Sequence, residues 1–203
     1  VLQGRLMLNL DTEDWGEFYL GCAGGLDVNV ERGSVAEPLP AGFEVVRIAL
    51  RGLRGGHSGV DIHEERGNAI KLLVRVLREL EGVTPVRLVD LTGGSARNAL
   101  PREAVATLAV PGGRGGRLAS WLAGMEASLR GELRGIDEGL SLAVSVADAE
   151  EVMAEAEQEI WLGSLHAAPH GVRRMSRQVP GVDEKSTCLG TADVLPHGVV
   201  CNP

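Results

Sequence analysis

Between residues 43 and 147 the hydrophobic period of the chain switches repeatedly between two and about 3.6 residues, and this alternation limits the possible folds more than any other feature. In residues 43–50, Phe43, Val45, Ile48 and Leu50 roughly alternate, with a slip at Val46 that a bulge would absorb. Asp61, with Glu64 three residues on, reads as an acidic helix cap. Ile70, Leu73, Val76, Leu77 and Leu80 then recur at helical spacing up to Gly82. Residues 85–91 and 103–110 read as strands joined by a glycine-containing loop, and the glycine cluster 112–116 closes the pair. A second helix carries Leu118, Trp121, Leu122, Met125, Leu129 and Leu133 on one face. Leu140, Leu142, Val144 and Val146 alternate with small or polar residues, as in a strand with one buried face.

In order these segments are β-α-β-β-α-β, the split arrangement of ferredoxin-like domains: an α+β unit whose antiparallel sheet carries two helices on one face. Flanking elements add to it. A buried strand is expected over 5–10, short strands over 17–21 and 26–30 around Gly24-Gly25, and a linker at Pro38 and Pro40. A third helix is expected over 149–165, through Val152, Met153, Ala156, Ile160 and Trp161, ending before Pro169. The chain opens at Val1 without methionine and enters an apolar run at once, which reads as an internal piece of a longer protein.

A formal net charge of -8 with no Lys/Arg-rich run argues against nucleic-acid binding and leaves room for a small cationic or zwitterionic ligand. The longest apolar stretches, such as 140–147, fall far short of the roughly 20 residues that span a membrane, and no signal peptide opens the chain. A soluble, cytosolic protein is the expectation. Cys22, Cys188 and Cys201 are odd in number and lack Cys-x-x-Cys spacing, so reduced thiols are expected rather than a disulfide framework or a structural zinc site.

Four residues are candidates for chemistry. His57 lies in Gly55-Gly56-His57-Ser58-Gly59, between a strand and a helix, where glycines let a ligand approach the backbone and the imidazole can donate from a fixed position; an exposed turn would look the same by spacing. Asn98 sits in a loop between two strands, where its amide can donate and accept, although asparagine is also an ordinary turn residue. Arg174 can clamp a carboxylate bidentately or simply be solvated. Asp11 follows an apolar strand, the place where α/β enzymes put metal ligands and catalytic groups, and also begins an acidic run. His166 and His170 are four apart, but Pro169 and the missing glutamate rule out the His-Glu-x-x-His signature. Gly112 to Gly116 lacks the Lys-Ser/Thr of a phosphate loop.

Taken together, the segments Asn9-Leu10-Asp11-Thr12-Glu13, Gly21-Cys22-Ala23-Gly24-Gly25, Gly55 to His63, Gly67-Asn68-Ala69 and Ser95 to Pro101 resemble, in order and spacing, the aminoacyl-histidine dipeptidases, a carnosine-cleaving branch of the M20 zinc metallopeptidases. Gly171 to Ser176 and Ser186 to Gly190 continue the likeness along nearly the whole chain. The resemblance implies an α/β catalytic domain holding two zinc ions, interrupted by a lid domain that mediates homodimerisation. Residues 1–22 would then be the last strand of an incomplete catalytic domain and 24–203 the lid. Asp11 matches a zinc ligand, and His57 matches the lid histidine that steadies the oxyanion, in related dimers within the partner's site. Asn98 and Arg174 match positions that hold the substrate.

The family's remaining zinc ligands and its general base have no match between Val1 and Pro203, so the chain alone is expected to hold no stable zinc and to be catalytically silent. Two rivals stand beside the dipeptidase reading: the lid of another M20 aminopeptidase, carboxypeptidase or deacylase, and a stand-alone ferredoxin-like module that dimerises or binds a ligand.

Overall fold

The computed structural model describes residues 3–6, 15–18, 24–113 and 115–202. Among these the strands are β1 Val30–Gly33, β2 Ala36–Pro38, β3 Phe43–Arg51, β4 Gly56–His57, β5 Arg87–Gly93, β6 Ala99–Leu100, β7 Ala104–Pro111, β8 Ser141–Val146, β9 Glu151–Met153, β10 Gly171–Met175, β11 Asp183–Thr187, β12 Thr191–Leu195 and β13 Gly198–Asn202. The helices are α1 Ala69–Glu81, α2 Gly115–Glu132 and α3 Glu155–Ala167, with a 3₁₀ turn at Ile62–Glu64. The main sheet runs β1-β13-β12-β5-β7-β3-β8, each ladder antiparallel. Its β5-β7-β3-β8 part, with α1 and α2, is the expected β-α-β-β-α-β unit. The strands β12, β13 and β1 widen it beyond β5.

Hydrophobic burial explains the layering. Val46, Ile48 and Leu50 of β3, Ala106, Leu108 and Val110 of β7, and Leu88 and Leu91 of β5 face a single core with Ile70, Leu73 and Leu77 of α1, Leu122 and Leu129 of α2, and Trp161, Leu162 and Leu165 of α3. Each fully buried leucine or isoleucine contributes about 1.5–3 kcal/mol relative to exposure. All three helices therefore lie on one face. On the other face a smaller cluster of Val45, Val89, Ala109 and Val152 covers one end of the sheet.

That second cluster corrects the reading of Val46. The β3–β7 register is unbroken from Phe43↔Pro111 to Leu50↔Ala104, so there is no bulge in β3. Val45 and Val46 are both buried because the sheet is covered on both sides there. The irregularity is instead in β5, between Leu88 and Asp90. Beside it the Leu88 N–H donates to Gln158 Oε1 at 2.7 Å, while Gln158 Nε2 donates to Glu81 Oε1 at 2.7 Å and the Val86 carbonyl at 3.1 Å.

The third helix starts later than periodicity suggests. Residues 151–153 form β9, paired with β2 from Ala36↔Met153 to Pro38↔Glu151, and the helix begins at Glu155. Consecutive apolar residues here serve opposite faces, Val152 in the small cluster and Met153 in the main core. The strand expected over 26–30 is also displaced: Leu26 and Val28 are exposed, and pairing begins only where Val30 meets Cys201 of β13. The strands expected over 5–10 and 17–21 fall mostly outside the described residues; Leu6 and Phe18, which are described, are exposed. Among the described residues no helix is long and apolar enough to cross a membrane.

Candidate functional site

His57 and Asn98 meet on a small ribbon. β4 pairs with β6 through Gly56↔Leu100 and His57↔Ala99, and the Ser58 N–H donates to the Asn98 carbonyl at 2.9 Å. Both side chains are exposed. The His57 ring is held by its own loop: Nδ1 accepts the Gly59 N–H at 3.0 Å and the Val60 N–H at 3.1 Å. A ring nitrogen that accepts hydrogen bonds carries no proton, so the neutral imidazole has its N–H at Nε2. That leaves a donor of fixed orientation at the nitrogen the loop does not hold.

Asp61 braces this loop and does not cap α1. Its Oδ2 accepts the His57 backbone N–H at 2.7 Å and its Oδ1 accepts Arg66 Nη2 at 3.0 Å. Arg66, only 12% exposed at its side chain, also donates through Nε to Glu64 Oε2 at 2.9 Å and through Nη1 to the Gly55 carbonyl. Gly56, at φ 148°, has no room for a side chain, since a Cβ would collide with the Asp61 carboxylate and Arg66. The cap of α1 is Asn68, whose Oδ1 accepts from the N–H groups of Ile70 and Lys71 at 3.0 and 3.2 Å.

Two buried polar groups fix the ends of the loop; Asn68 stands out in the sequence only within the segment Gly67-Asn68-Ala69, and Asp137 not at all. Asp137, fully buried, accepts the Arg54 N–H at 2.7 Å and the Gly67 N–H at 2.9 Å. Asn68 Nδ2 donates to the Leu189 carbonyl at 2.9 Å and meets His170 Nδ1 at 3.2 Å. Nearby, Lys71 Nζ donates to the carbonyls of Leu165, His166 and Ala168 at 2.8, 2.6 and 2.7 Å, closing the C-terminus of α3.

His170 is thus part of a packed junction, and its burial, with Lys71 adding to it, lowers its pKa from 6.5 to about 4. The unfolded chain binds this proton near pH 6.5 and the folded chain only near pH 4, so the fold loses stability as pH falls between these values and gains nothing from the group above them. The loss should approach about 3 kcal/mol. Urea midpoints measured at pH 7.5 and 4.5 are expected to differ markedly less in His170→Gln than in the wild type; an equal drop would assign the acid sensitivity elsewhere.

Arg174 stands apart from the ribbon. It lies on β10, is half-exposed and pairs through Nε with Glu184 Oε2 at 2.9 Å. It lines a cavity of about 700 Å³ with His63, Arg66, His170 and Met175, on the side of the 3₁₀ turn. Behind Asn98, the Cys188 thiol donates to the Ala99 carbonyl at 3.8 Å, and burial pushes that thiol up to about 11. Gly190 packs so closely on the Arg97 backbone that a Cβ would stand 2.8 Å from the Arg97 carbonyl oxygen. Asp11 and Cys22 lie outside the described residues. Among the described residues no group of three or more His, Cys, Asp or Glu side chains converges as a metal centre, so these residues do not fit a zinc pair.

Residues 48–136, the heart of the β-α-β-β-α-β unit, match the peptidase dimerisation domain of the M20 type. The chain carries an M20 peptidase dimerisation domain. Over 199 residues, 98% of its length, the chain is 39% identical to the cytosol non-specific dipeptidase of Escherichia coli (strain K12), covering 41% of it. The crystal structure of aminoacylhistidine dipeptidase from Vibrio alginolyticus superposes with a TM-score of 0.89 at 40% identity, over 99% of this chain and 41% of that one. The chain therefore spans about two fifths of the length of these relatives. The likeness also runs beyond the 48–136 segment, through the β10–β11 hairpin and the added strands β12 and β13.

Proposed function

We propose that this chain is the dimerisation-domain part of a cytosolic dinuclear-zinc dipeptidase that hydrolyses dipeptides with a C-terminal histidine. The observation that carries the reading is His57, exposed, with Nδ1 occupied by two backbone amides and Nε2 left to donate, on a ribbon shared with Asn98. A donor of fixed position suits the oxyanion that develops when an amide carbonyl is attacked, because no reorganisation is needed as charge appears. In this scheme His57 Nε2–H steadies the oxyanion, the Asn98 amide holds the substrate, and Arg174 takes its carboxylate. Asp11 is proposed as one zinc ligand, with residues 1–22 the end of a catalytic domain and 24–203 the lid. Zinc ions held by Asp11 together with further ligands of the full-length parent would supply an activated water; the described residues of this chain bind and orient. A homodimer through the lid brings His57 to the partner's site.

The name of the Escherichia coli relative, a non-specific dipeptidase, favours a second reading in which the first and second residues of the dipeptide both vary. A substrate panel on the full-length parent tests both. Carnosine-like Xaa-His dipeptides are expected to be cleaved, tripeptides and acylated amino acids not. Comparable rates on dipeptides without histidine would select the broader reading, and preferential cleavage of tripeptides or acylated amino acids would overturn both.

A further inference from the structure

We propose that the cavity beneath the His57–Asn98 ribbon binds a small oxyanion, a carboxylate or a phosphate group, through Arg51, Arg54 and Arg102. The site is independent of the dipeptidase reading. The cavity is an open cleft of about 530 Å³ between the ends of β3, β5 and β7, with Gly56, Ala99 and Leu100 of the ribbon along its rim. That volume is in the range of small-molecule sites. Three arginines and one carboxylate, Glu103, line it in a chain whose formal net charge is -8, so the local sign opposes that of the whole molecule.

Like charges gathered at one cavity repel unless a counter-charge joins them. The chain supplies little. Glu103 stands 3.8 Å from Arg51 Nε with both side chains largely exposed, and Arg54 reaches Glu64 only at 4.0 Å. Arg54 Nη1 donates to the Ile136 carbonyl at 3.3 Å, which leaves its charge unneutralised. Among the described residues no carboxylate pairs with Arg102.

Arg102 is nevertheless not free to wander. Gly55 adopts φ 65°, and a Cβ there would overlap Cγ and Cδ of Arg102, so the aliphatic stem of Arg102 is seated against the backbone that leads into His57. The guanidinium that this stem carries is exposed and offers planar, paired donors that match the two oxygens of a carboxylate or phosphate, which an ammonium does not. The free donors, the excess positive charge and the cleft all fall in one place.

The test is a titration of the 203-residue chain with inorganic phosphate and, separately, with N-acetylglycine, followed by calorimetry and by amide chemical shifts at residues 93–95. Saturable binding is expected that weakens as salt is added. Arg102→Gln and Arg54→Gln should each weaken it by about tenfold, Arg102→Lys should restore part of it, and Arg130→Gln on α2 should change nothing. Tighter N-acetylglycine binding identifies a carboxylate ligand and tighter phosphate binding a phosphoryl ligand; either upholds the site. If Arg102→Gln perturbs folding, Arg51→Gln, whose side chain is 65% exposed, takes its place. Failure of both anions to bind saturably, or binding untouched by the arginine substitutions, overturns the proposal.

Discussion

His57→Ala in the full-length parent should lower kcat for dipeptide cleavage by about 10²- to 10³-fold, the usual cost of deleting one oxyanion donor, while bound metal stays unchanged. The geometry separates this from a folding effect. The ring is exposed and contacts its own loop through Nδ1, so its removal frees the Gly59 and Val60 amides toward water and not into a core. Stability should move by well under about 1 kcal/mol. Because the donor acts on charge that develops during reaction, KM should change far less than kcat. Unaltered turnover would remove His57 from the oxyanion role, and lost metal with lost turnover would make it structural.

How far the sequence revealed this site depended on how local each signal is. The core unit was legible above all where an element buries one stripe: α1 places Ile70, Leu73, Val74, Leu77 and Leu80 in the core, and that period needs no knowledge of the partner. β9 was not legible, since Val152 and Met153 serve two cores and look helical when only one is imagined. Glycines flagged the His57 loop, but the pairing of His57 with Ala99 is a two-residue ladder between distant segments and leaves no periodic trace. Asp61 satisfied the pattern of a cap three residues before a glutamate, yet its carboxylate is drawn to the His57 amide and Arg66. Arg174, chosen as a carboxylate clamp and for the resemblance, belongs to another hairpin and another cavity than the ribbon. Asp137 sits in Gly135-Ile136-Asp137-Glu138-Gly139, a segment with no period or motif that would mark a buried carboxylate.

That segment holds the second large effect. Asp137→Ala is expected to cost about 2–4 kcal/mol of stability, because the Arg54 and Gly67 N–H groups lose their acceptor where water has little access. Asp137→Asn should also destabilise, since an amide presents one oxygen and turns its NH₂ toward one of the two donors. The damage should be felt at the site as well as in the core. Arg54 and Gly67 are the ends of the segment that carries His57, Asp61 and Arg66, so slackening them loosens the loop whose amides fix the imidazole. Amide exchange at Gly59 and Val60 should therefore accelerate more than exchange at Leu108 in the middle of β7, which opens only with global unfolding. Urea denaturation measures the first effect and hydrogen exchange the second. A stability change below about 0.5 kcal/mol would show the buried carboxylate to be a bystander. Equal acceleration at Gly59 and Leu108 would show that Asp137 holds the fold and not the loop, which would leave the orientation of His57 to Asp61 and Arg66 alone.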